Sequence, residues 1–99
     1  MERASDNEQI CLAATFEGNV QGVGFRMTVA DIAGRSGVSG FVKNKWDGTV
    51  YMVAEGTRSD LEALMSAIYR SRLGRHIRQA HTSWSGATGA YAQFRIRYD

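Results

Sequence analysis

The chain has 99 residues, 43% apolar and 22% charged, so it is long enough for one globular domain and too apolar to be mainly disordered. Twelve basic and ten acidic side chains leave a formal charge of +2, which excludes a strongly basic nucleic-acid tail. A single cysteine, Cys11, excludes an internal disulfide, and with two histidines it excludes a structural zinc site of the usual four-ligand kind.

The composition also indicates where in the cell the protein is expected and how the chain divides into a tail and a domain. No apolar run approaches the ~20 residues of a membrane-spanning helix, and the polar N-terminus lacks an apolar signal core. The lone cysteine favours a reducing, cytoplasmic location, and we expect no membrane partner. Residues 1–9 are predicted to be a flexible polar tail, followed by a single domain over 10–99.

The first predicted elements are a strand, a glycine loop and a helix. Apolar residues alternate with others over 10–17, and this period of two indicates a strand. Gly18, Gly22 and Gly24 follow within seven residues and indicate a loop. A weaker helical pattern over 26–36 ends near Gly34 and Gly37. Its predicted apolar face consists of Met27, Val29, Ala30, Ile32 and Ala33.

The middle of the chain predicts a β-hairpin. Two β-prone runs, 41–46 and 49–55, flank the pair Asp47-Gly48. Asp-Gly between such runs favours a two-residue primed turn, because that turn needs positive φ angles.

The second helix has the clearest pattern. Ser59 and Glu62 predict a capping box, and apolar residues then recur at helical spacing from Leu61 to Ile68. Gly74 is the predicted terminator.

The closing segment predicts one or two further strands. A strand is expected over 77–84, a small-residue loop over 85–90, and a final strand over 93–98. Phe94, Ile96 and Tyr98 share one face of that final strand. The complete β-α-β-β-α-β order, with a possible extra strand, predicts an α+β ferredoxin-like sandwich. In this fold two helices cover one face of a mainly antiparallel sheet.

The glycine loop carries the chemistry. Between a strand and a helix, successive backbone N–H groups of a Gly-rich turn can converge on an anion, and the helix N-terminus adds positive partial charge. Arg26 stands at the helix start, where a guanidinium can hold two oxygens of one phosphate. The spacing fits neither a Walker loop nor the dinucleotide fingerprint. By spacing alone, a tight turn that binds nothing is an equal alternative to a phosphate or carboxylate cradle.

The sequences of three segments favour the phosphate cradle over a turn that binds nothing. The runs 20–26 (VQGVGFR), 40–44 (GFVKN) and 47–50 (DGTV) closely resemble the acylphosphatase family, and the resemblance extends over 10–98. It implies a ferredoxin-like fold and a hydrolase acting on acid anhydrides. Its substrates would be acyl phosphates, cleaved to carboxylate and inorganic phosphate without metal or cofactor. Asn19 departs from the family, many of whose members carry Arg or another large polar residue there.

The resemblance also implies roles for individual residues. Arg26 matches the catalytic arginine that binds phosphate, and Asn44 matches the asparagine that orients the attacking water. Backbone N–H groups of the loop would bind inorganic phosphate or another anion. The loop residues concerned are Gln21, Gly22, Val23, Gly24 and Phe25.

Three alternative functions fit the sequence less well. An RNA-binding module shares the element order but explains neither the glycine loop nor Arg26, so we expect no nucleic-acid partner. A non-catalytic phosphate-binding relative would not require an intact Arg26 and Asn44. A related domain occurs inside larger hydrogenase-maturation proteins, but we expect a free-standing, monomeric enzyme.

Several residues outside the loop are expected to be structural. The basic run 70–78 is predicted to be a solvated helix end, with a patch for an acidic partner as the alternative. His76 and His81 lack a third nearby ligand, so no metal site is expected. Cys11 is expected to be a buried or half-buried thiol, and Trp46 and Trp84 to lie in packing or turn positions.

Overall fold

The computed structural model describes residues 7–99, so the first six residues of the predicted tail lie outside it. The first strand begins at Gln9, one residue before the predicted start at Ile10. In chain order the elements are β1 (Gln9–Gly18), α1 (Phe25–Arg35), β2 (Ser39–Asn44), β3 (Val50–Thr57), α2 (Arg58–Arg70), a 3₁₀ turn (Arg72–His76), β4 (Ile77–Gly86) and β5 (Phe94–Arg97).

The five strands form one sheet in the order β4-β1-β3-β2-β5. Neighbouring strands are antiparallel except β2 and β5, which run parallel. The predicted α+β ferredoxin-like sandwich is therefore confirmed, and the possible extra strand is present. Both edges of the sheet, β4 and β5, come from the segment after α2.

The main core lies between the two helices and one face of the sheet. On β1, Leu12 and Phe16 are fully buried, as the period of two predicts. On α2, Leu61, Leu64 and Ile68 are fully buried at the three- and four-residue spacing of one helix face. At ~25 cal/mol per Å² of apolar surface, such a continuous layer is the main source of stability.

The opposite face of the sheet carries a smaller apolar cluster. Cys11, Phe41 and Val53 are buried there, and the Tyr91 ring lies 5.8 Å from that of Phe41. Burial raises the pKa of the Cys11 thiol, because the thiolate is disfavoured away from water. The predicted buried thiol is confirmed.

Glu55 anchors the segment that joins β4 to β5. It is a buried charged side chain, and its carboxylate accepts hydrogen bonds from the Thr88 N–H and hydroxyl, both at 2.9 Å. The Gly89 N–H adds a third hydrogen bond at 3.0 Å. Burial opposes ionisation of Glu55, but these hydrogen bonds outweigh it and lower the pKa of the carboxyl.

The start of α2 differs from the prediction. Thr57 is the N-cap residue, and its hydroxyl accepts a hydrogen bond from the Asp60 N–H at 3.1 Å. Ser59 therefore lies inside the first turn and forms no capping box with Glu62. A threonine at the end of an extended strand is itself a good N-cap, so the helix begins earlier. α2 also ends before Gly74, the predicted terminator.

The β2–β3 hairpin is confirmed, but its turn differs from the predicted two-residue primed turn. Lys45 N–H donates to the Thr49 carbonyl at 2.9 Å, and Gly48 N–H donates to the Lys45 carbonyl at 3.1 Å. Only Gly48 in this turn has a positive φ, of 93°. This is the three-residue hairpin loop that closes on a left-handed glycine. The Asp47 carboxylate accepts from the Thr49 hydroxyl and N–H, which lowers the pKa of Asp47.

Candidate active site

The loop between β1 and α1 depends on two glycines in the left-handed region. Gly22 has a φ of 79° and Gly24 a φ of 75°, conformations that side-chain-bearing residues rarely adopt. Gly24 is the N-cap residue of α1 and offers no side chain to the first N–H groups of the helix. Those N–H groups therefore remain free to bind a ligand.

Arg26 is positioned by its neighbour Phe25. The Phe25 side chain is buried, and its ring lies 5.2 Å from that of Phe16, which fixes the first turn of α1 on the core. Arg26 is half-buried beside it, near the positive pole of the helix dipole. A cationic side chain and a helix N-terminus therefore lie together at this end of α1.

A pocket of about 160 Å³ opens between the loop, the start of α1, and the ends of β2 and β5. Arg26 and Asn44 both line it, together with Gly22, Gly24 and Phe25 from the predicted loop. Asn44 reaches the pocket because it is the last residue of β2, the strand beside β5. The structure thus brings together the two residues that the sequence singled out, although they lie on different elements.

Met27 and Tyr98 form the apolar side of this pocket. They are 71% and 78% exposed, so two large apolar side chains flank one opening. The predicted burial of Met27 is wrong, because it lies about 200° around the helix from the buried Phe25. The Tyr98 ring lies 4.8 Å from the Arg26 guanidinium carbon, within cation–π range.

The end of the chain that carries Tyr98 is held by an ion pair. Arg97 Nε and Nη2 donate to the Asp99 carboxylate at 3.1 and 2.7 Å, which lowers the pKa of Asp99. Lys43 Nζ lies 3.8 Å from the same carboxylate. These contacts hold the end of β5 against β2 and keep Tyr98 near Arg26.

Gln21 has a structural role, through its side chain, that the sequence did not reveal. It was predicted to contribute its backbone N–H, yet its side chain carries the visible contacts. The Nε2 atom donates to the Lys45 carbonyl at 2.7 Å and to the Thr49 carbonyl at 2.9 Å. Gln21 therefore ties the loop to the hairpin turn next to Asn44, which links the two halves of the pocket.

Arg72 is exposed just after α2, as the predicted solvated helix end requires, but its guanidinium also contacts the glycine loop. Its Nη1 atom donates to the Val23 carbonyl at 2.9 Å, and its Nη2 atom donates to the Thr28 hydroxyl at 3.0 Å. The composition of the run 70–78 offered no means of distinguishing this arginine from its neighbours. The contact joins residues far apart in sequence, and only the tertiary fold brings them together.

Within residues 7–99, no group of three or more His, Cys, Asp or Glu side chains is arranged to hold a metal ion. None of the helices in this part of the chain has the length and apolar character needed to cross a bilayer.

The chain is similar to known proteins over most of its length. A family model described as Acylphosphatase matches residues 12–96. A protein of Salinibacter ruber named Acylphosphatase is 37% identical over a region that covers 87% of this chain and 90% of that protein. A protein of Methanospirillum hungatei, also named Acylphosphatase, is 42% identical over a region that covers 83% of this chain and 90% of that protein. The crystal structure of acylphosphatase from Bacillus subtilis superposes with a TM-score of 0.83 at 29% identity, covering 90% of this chain and 99% of that one.

Proposed function

The chain belongs to the acylphosphatase family of hydrolases, and from this premise we propose how its pocket works. The glycine loop and Arg26 hold the phosphate of an acyl phosphate, and Asn44 orients the water that attacks it. The carboxyl–phosphate bond breaks to give a carboxylate and inorganic phosphate, without a metal or cofactor. The observation that carries this proposal is that Arg26, Asn44 and the loop line one pocket.

The phosphate end of the substrate would lie against the loop. Phosphoryl transfer depends mainly on positioning and on stabilising charge that develops on the equatorial oxygens. Backbone N–H groups of 21–25 and the helix N-terminus offer fixed donors, and Arg26 adds a fixed charge that can grip two oxygens. Gly22 and Gly24 support this role because they line the pocket without side chains that would fill it.

Asn44 is suited to orienting water and unsuited to removing its proton. Its amide offers both donors and an acceptor and has no charge to change. The phosphate oxygens of the substrate can accept the water proton themselves. The leaving group departs as a carboxylate, which is stable at neutral pH, so the reaction requires no protein general acid.

The acyl end of the substrate would lie along Met27 and Tyr98. These exposed apolar side chains offer contact area for an apolar or aromatic acyl group, whereas the phosphate is held on the cationic side. We place the reaction in the cytoplasm, because the one cysteine of the chain, Cys11, is free and buried.

Benzoyl phosphate hydrolysis in EDTA tests this proposal. The wild type should turn over rapidly. Arg26→Ala and Asn44→Ala should each lower kcat by about 100-fold or more, as removal of one fixed transition-state contact does elsewhere. Urea melts should show that both variants still fold.

Arg35→Ala provides the matched control. Arg35 is an exposed arginine in the last turn of the same helix, paired with Asp31 at 3.3 Å. Its loss removes the same charge about 14 Å from Arg26, and should leave kcat within twofold. A folded wild type without turnover would contradict the enzyme reading and favour a non-catalytic phosphate-binding relative.

A further inference from the structure

The Arg72–His76 turn contacts the glycine loop at two points. The Asn19 N–H donates to the His76 carbonyl at 3.0 Å, where the loop leaves β1. Arg72, at the other end of the turn, reaches the Val23 carbonyl and the Thr28 hydroxyl, where the loop joins α1. One short segment thus holds both ends of a loop that lies some 50 residues earlier in the chain.

The hydrogen bond to the Val23 carbonyl sets the direction of the next N–H group. In a trans peptide the C=O and the following N–H point in opposite directions, and the described chain has no cis peptide bond. With the Val23 carbonyl turned toward Arg72, the Gly24 N–H points away from the guanidinium. Gly24 lines the pocket, whereas Arg72 is outside its lining among residues 7–99. The hydrogen bond therefore turns this N–H to the pocket side of the loop.

Gly24 alone would not keep this peptide in place. Glycine populates positive and negative φ about equally, so a Val-Gly peptide can flip at little energetic expense. The hydrogen bond from Arg72 Nη1 to the Val23 carbonyl opposes the flip, because a flipped peptide would turn that carbonyl away from the guanidinium. The Nη2 atom of the same guanidinium donates to the Thr28 hydroxyl in the first turn of α1. Arg72 therefore locks the loop peptide relative to the helix N-terminus.

We propose that Arg72 is a positioning residue for hydrolysis, which holds the Val23–Gly24 peptide with its N–H directed at the bound phosphate. This inference rests on the proposed function of the pocket. Arg72 contacts the loop from behind and touches no reacting atom. Its role depends on the planar fork of the guanidinium, which spans two acceptors at once, rather than on charge alone.

Three variants separate positioning from charge. Arg72→Met removes the fork and the charge, and Arg72→Lys keeps the charge but not the fork. Arg75→Met is the matched control, because Arg75 is an exposed arginine of the same turn. Arg72→Met should lower kcat/KM for benzoyl phosphate about 10- to 100-fold, the range expected when a reacting group is slightly misplaced. Arg72→Lys should remain at least fivefold below wild type, and Arg75→Met should stay within twofold.

A phosphate titration followed by NMR measures the response of the Gly24 amide, which a change in protein stability alone would leave unaltered. In the wild type, inorganic phosphate should shift the Gly24 amide resonance strongly. In Arg72→Lys that shift should fall by at least half, while the midpoint of urea unfolding stays close to wild type. Thr28→Val is a second variant that removes one anchor of the guanidinium, and it should reduce the Gly24 shift in the same direction.

The outcomes distinguish this inference from the proposed function. Full activity in Arg72→Lys would show that only charge matters and would overturn the positioning role. Activity within twofold of wild type in Arg72→Met would overturn it as well. A wild type that binds phosphate without hydrolysing benzoyl phosphate would contradict the proposed function, and the Gly24 shift in the variants would still decide the role of Arg72.

Discussion

Gln21→Glu is the sharpest test of how the loop is held. The substitution keeps the shape of the side chain but replaces the amide donor with a carboxylate. In the wild type, Gln21 Nε2 donates to two carbonyl oxygens, those of Lys45 and Thr49, at 2.7 and 2.9 Å. In the variant, a negative charge would face both oxygens and would also lie near the bound phosphate.

The expected magnitude follows from these two hydrogen bonds. A neutral hydrogen bond contributes about 0.5–1.5 kcal/mol net, and the lower part of this range suits the exposed bond to Lys45. Loss of both bonds, with repulsion added, should lower the free energy of unfolding by about 2 kcal/mol, or Tm by about 10 °C. Loosening of the loop should lower kcat/KM about tenfold, because the phosphate donors are then misplaced.

Urea melts and benzoyl phosphate kinetics measure both effects at pH 7. Gln93→Glu is the control, since it introduces the same charge at an exposed glutamine beside the opposite end of β2. That position lies about 13 Å along the strand from Asn44. The control should change the free energy of unfolding by less than about 0.5 kcal/mol.

The pH dependence gives a further check on Gln21→Glu. The two facing carbonyl oxygens should raise the pKa of the new carboxyl in the folded state, because they disfavour its charged form. A protonated carboxyl can donate one hydrogen bond, so the loss of stability relative to wild type should shrink as pH falls toward 4. The reasoning is refuted if Gln21→Glu matches Gln93→Glu in both stability and kcat/KM.

Three further predictions concern the core, an ion pair and the acyl side of the pocket. Leu64 is fully buried, so Leu64→Ala should lower the free energy of unfolding by about 2–5 kcal/mol in urea melts, and a loss below ~0.5 kcal/mol would exclude it from the core. Hydrogen bonds from His81 and Arg78 lower the pKa of Glu17, so its contribution to stability is complete above the unfolded pKa of about 4.3 and lost as pH falls. Glu17→Gln should therefore flatten the fall in stability below about pH 5 in melts across pH, and an unchanged slope would contradict the pairing. Tyr98→Ala should raise KM about threefold or more for benzoyl phosphate and less for acetyl phosphate, because an aromatic acyl group loses ring contact. Equal changes for the two substrates would instead limit the role of Tyr98 to its contact with Arg26.

The parts of the fold predicted correctly depend on local signals. Alternation over 10–17 defined β1, Asp47-Gly48 located the hairpin, and the spacing of Leu61, Leu64 and Ile68 defined the buried face of α2. Each of these signals lies within about a dozen residues, where backbone geometry alone determines which side chains share a face. The same holds for the glycine loop, whose positive φ angles require glycine.

The errors arose where tertiary contacts decide between local options. Thr57 and Ser59 are both acceptable N-caps, and the strand leading into α2 selected Thr57. Met27 fits an apolar helix face by composition. Because Phe25 packs on Phe16 in the core, Met27 lies on another face of the helix and is exposed beside the pocket. The parallel pairing of β5 with β2, which brings Tyr98 to Arg26, joins strands that are distant in sequence.

The residues assigned to the candidate site carry a signal in the sequence, whereas the contacts that support them carry none. The proposal assigns the phosphate to the glycine loop and Arg26 and the water to Asn44, and the resemblance of their segments to the acylphosphatase family marks these residues in the sequence. The supporting residues are those that reach the loop once the chain has folded, so their positions follow from the tertiary structure. The supporting contacts come from the side chains of Gln21 and Arg72 and from the His76 carbonyl.

If the loop binds phosphate as proposed, these supports would let a loop rich in flexible glycines serve as a rigid anion site. Transition-state stabilisation by hydrogen bonds requires donors that are already oriented before the substrate arrives. The glycines permit the backbone to turn its N–H groups inward, and by the same freedom they permit it to turn them away. Contacts with the hairpin turn, through Gln21, and with the Arg72–His76 turn restrain that freedom from two separate elements. The activity of this pocket should therefore be sensitive to substitutions that never touch the substrate, and most sensitive where one side chain restrains a glycine peptide.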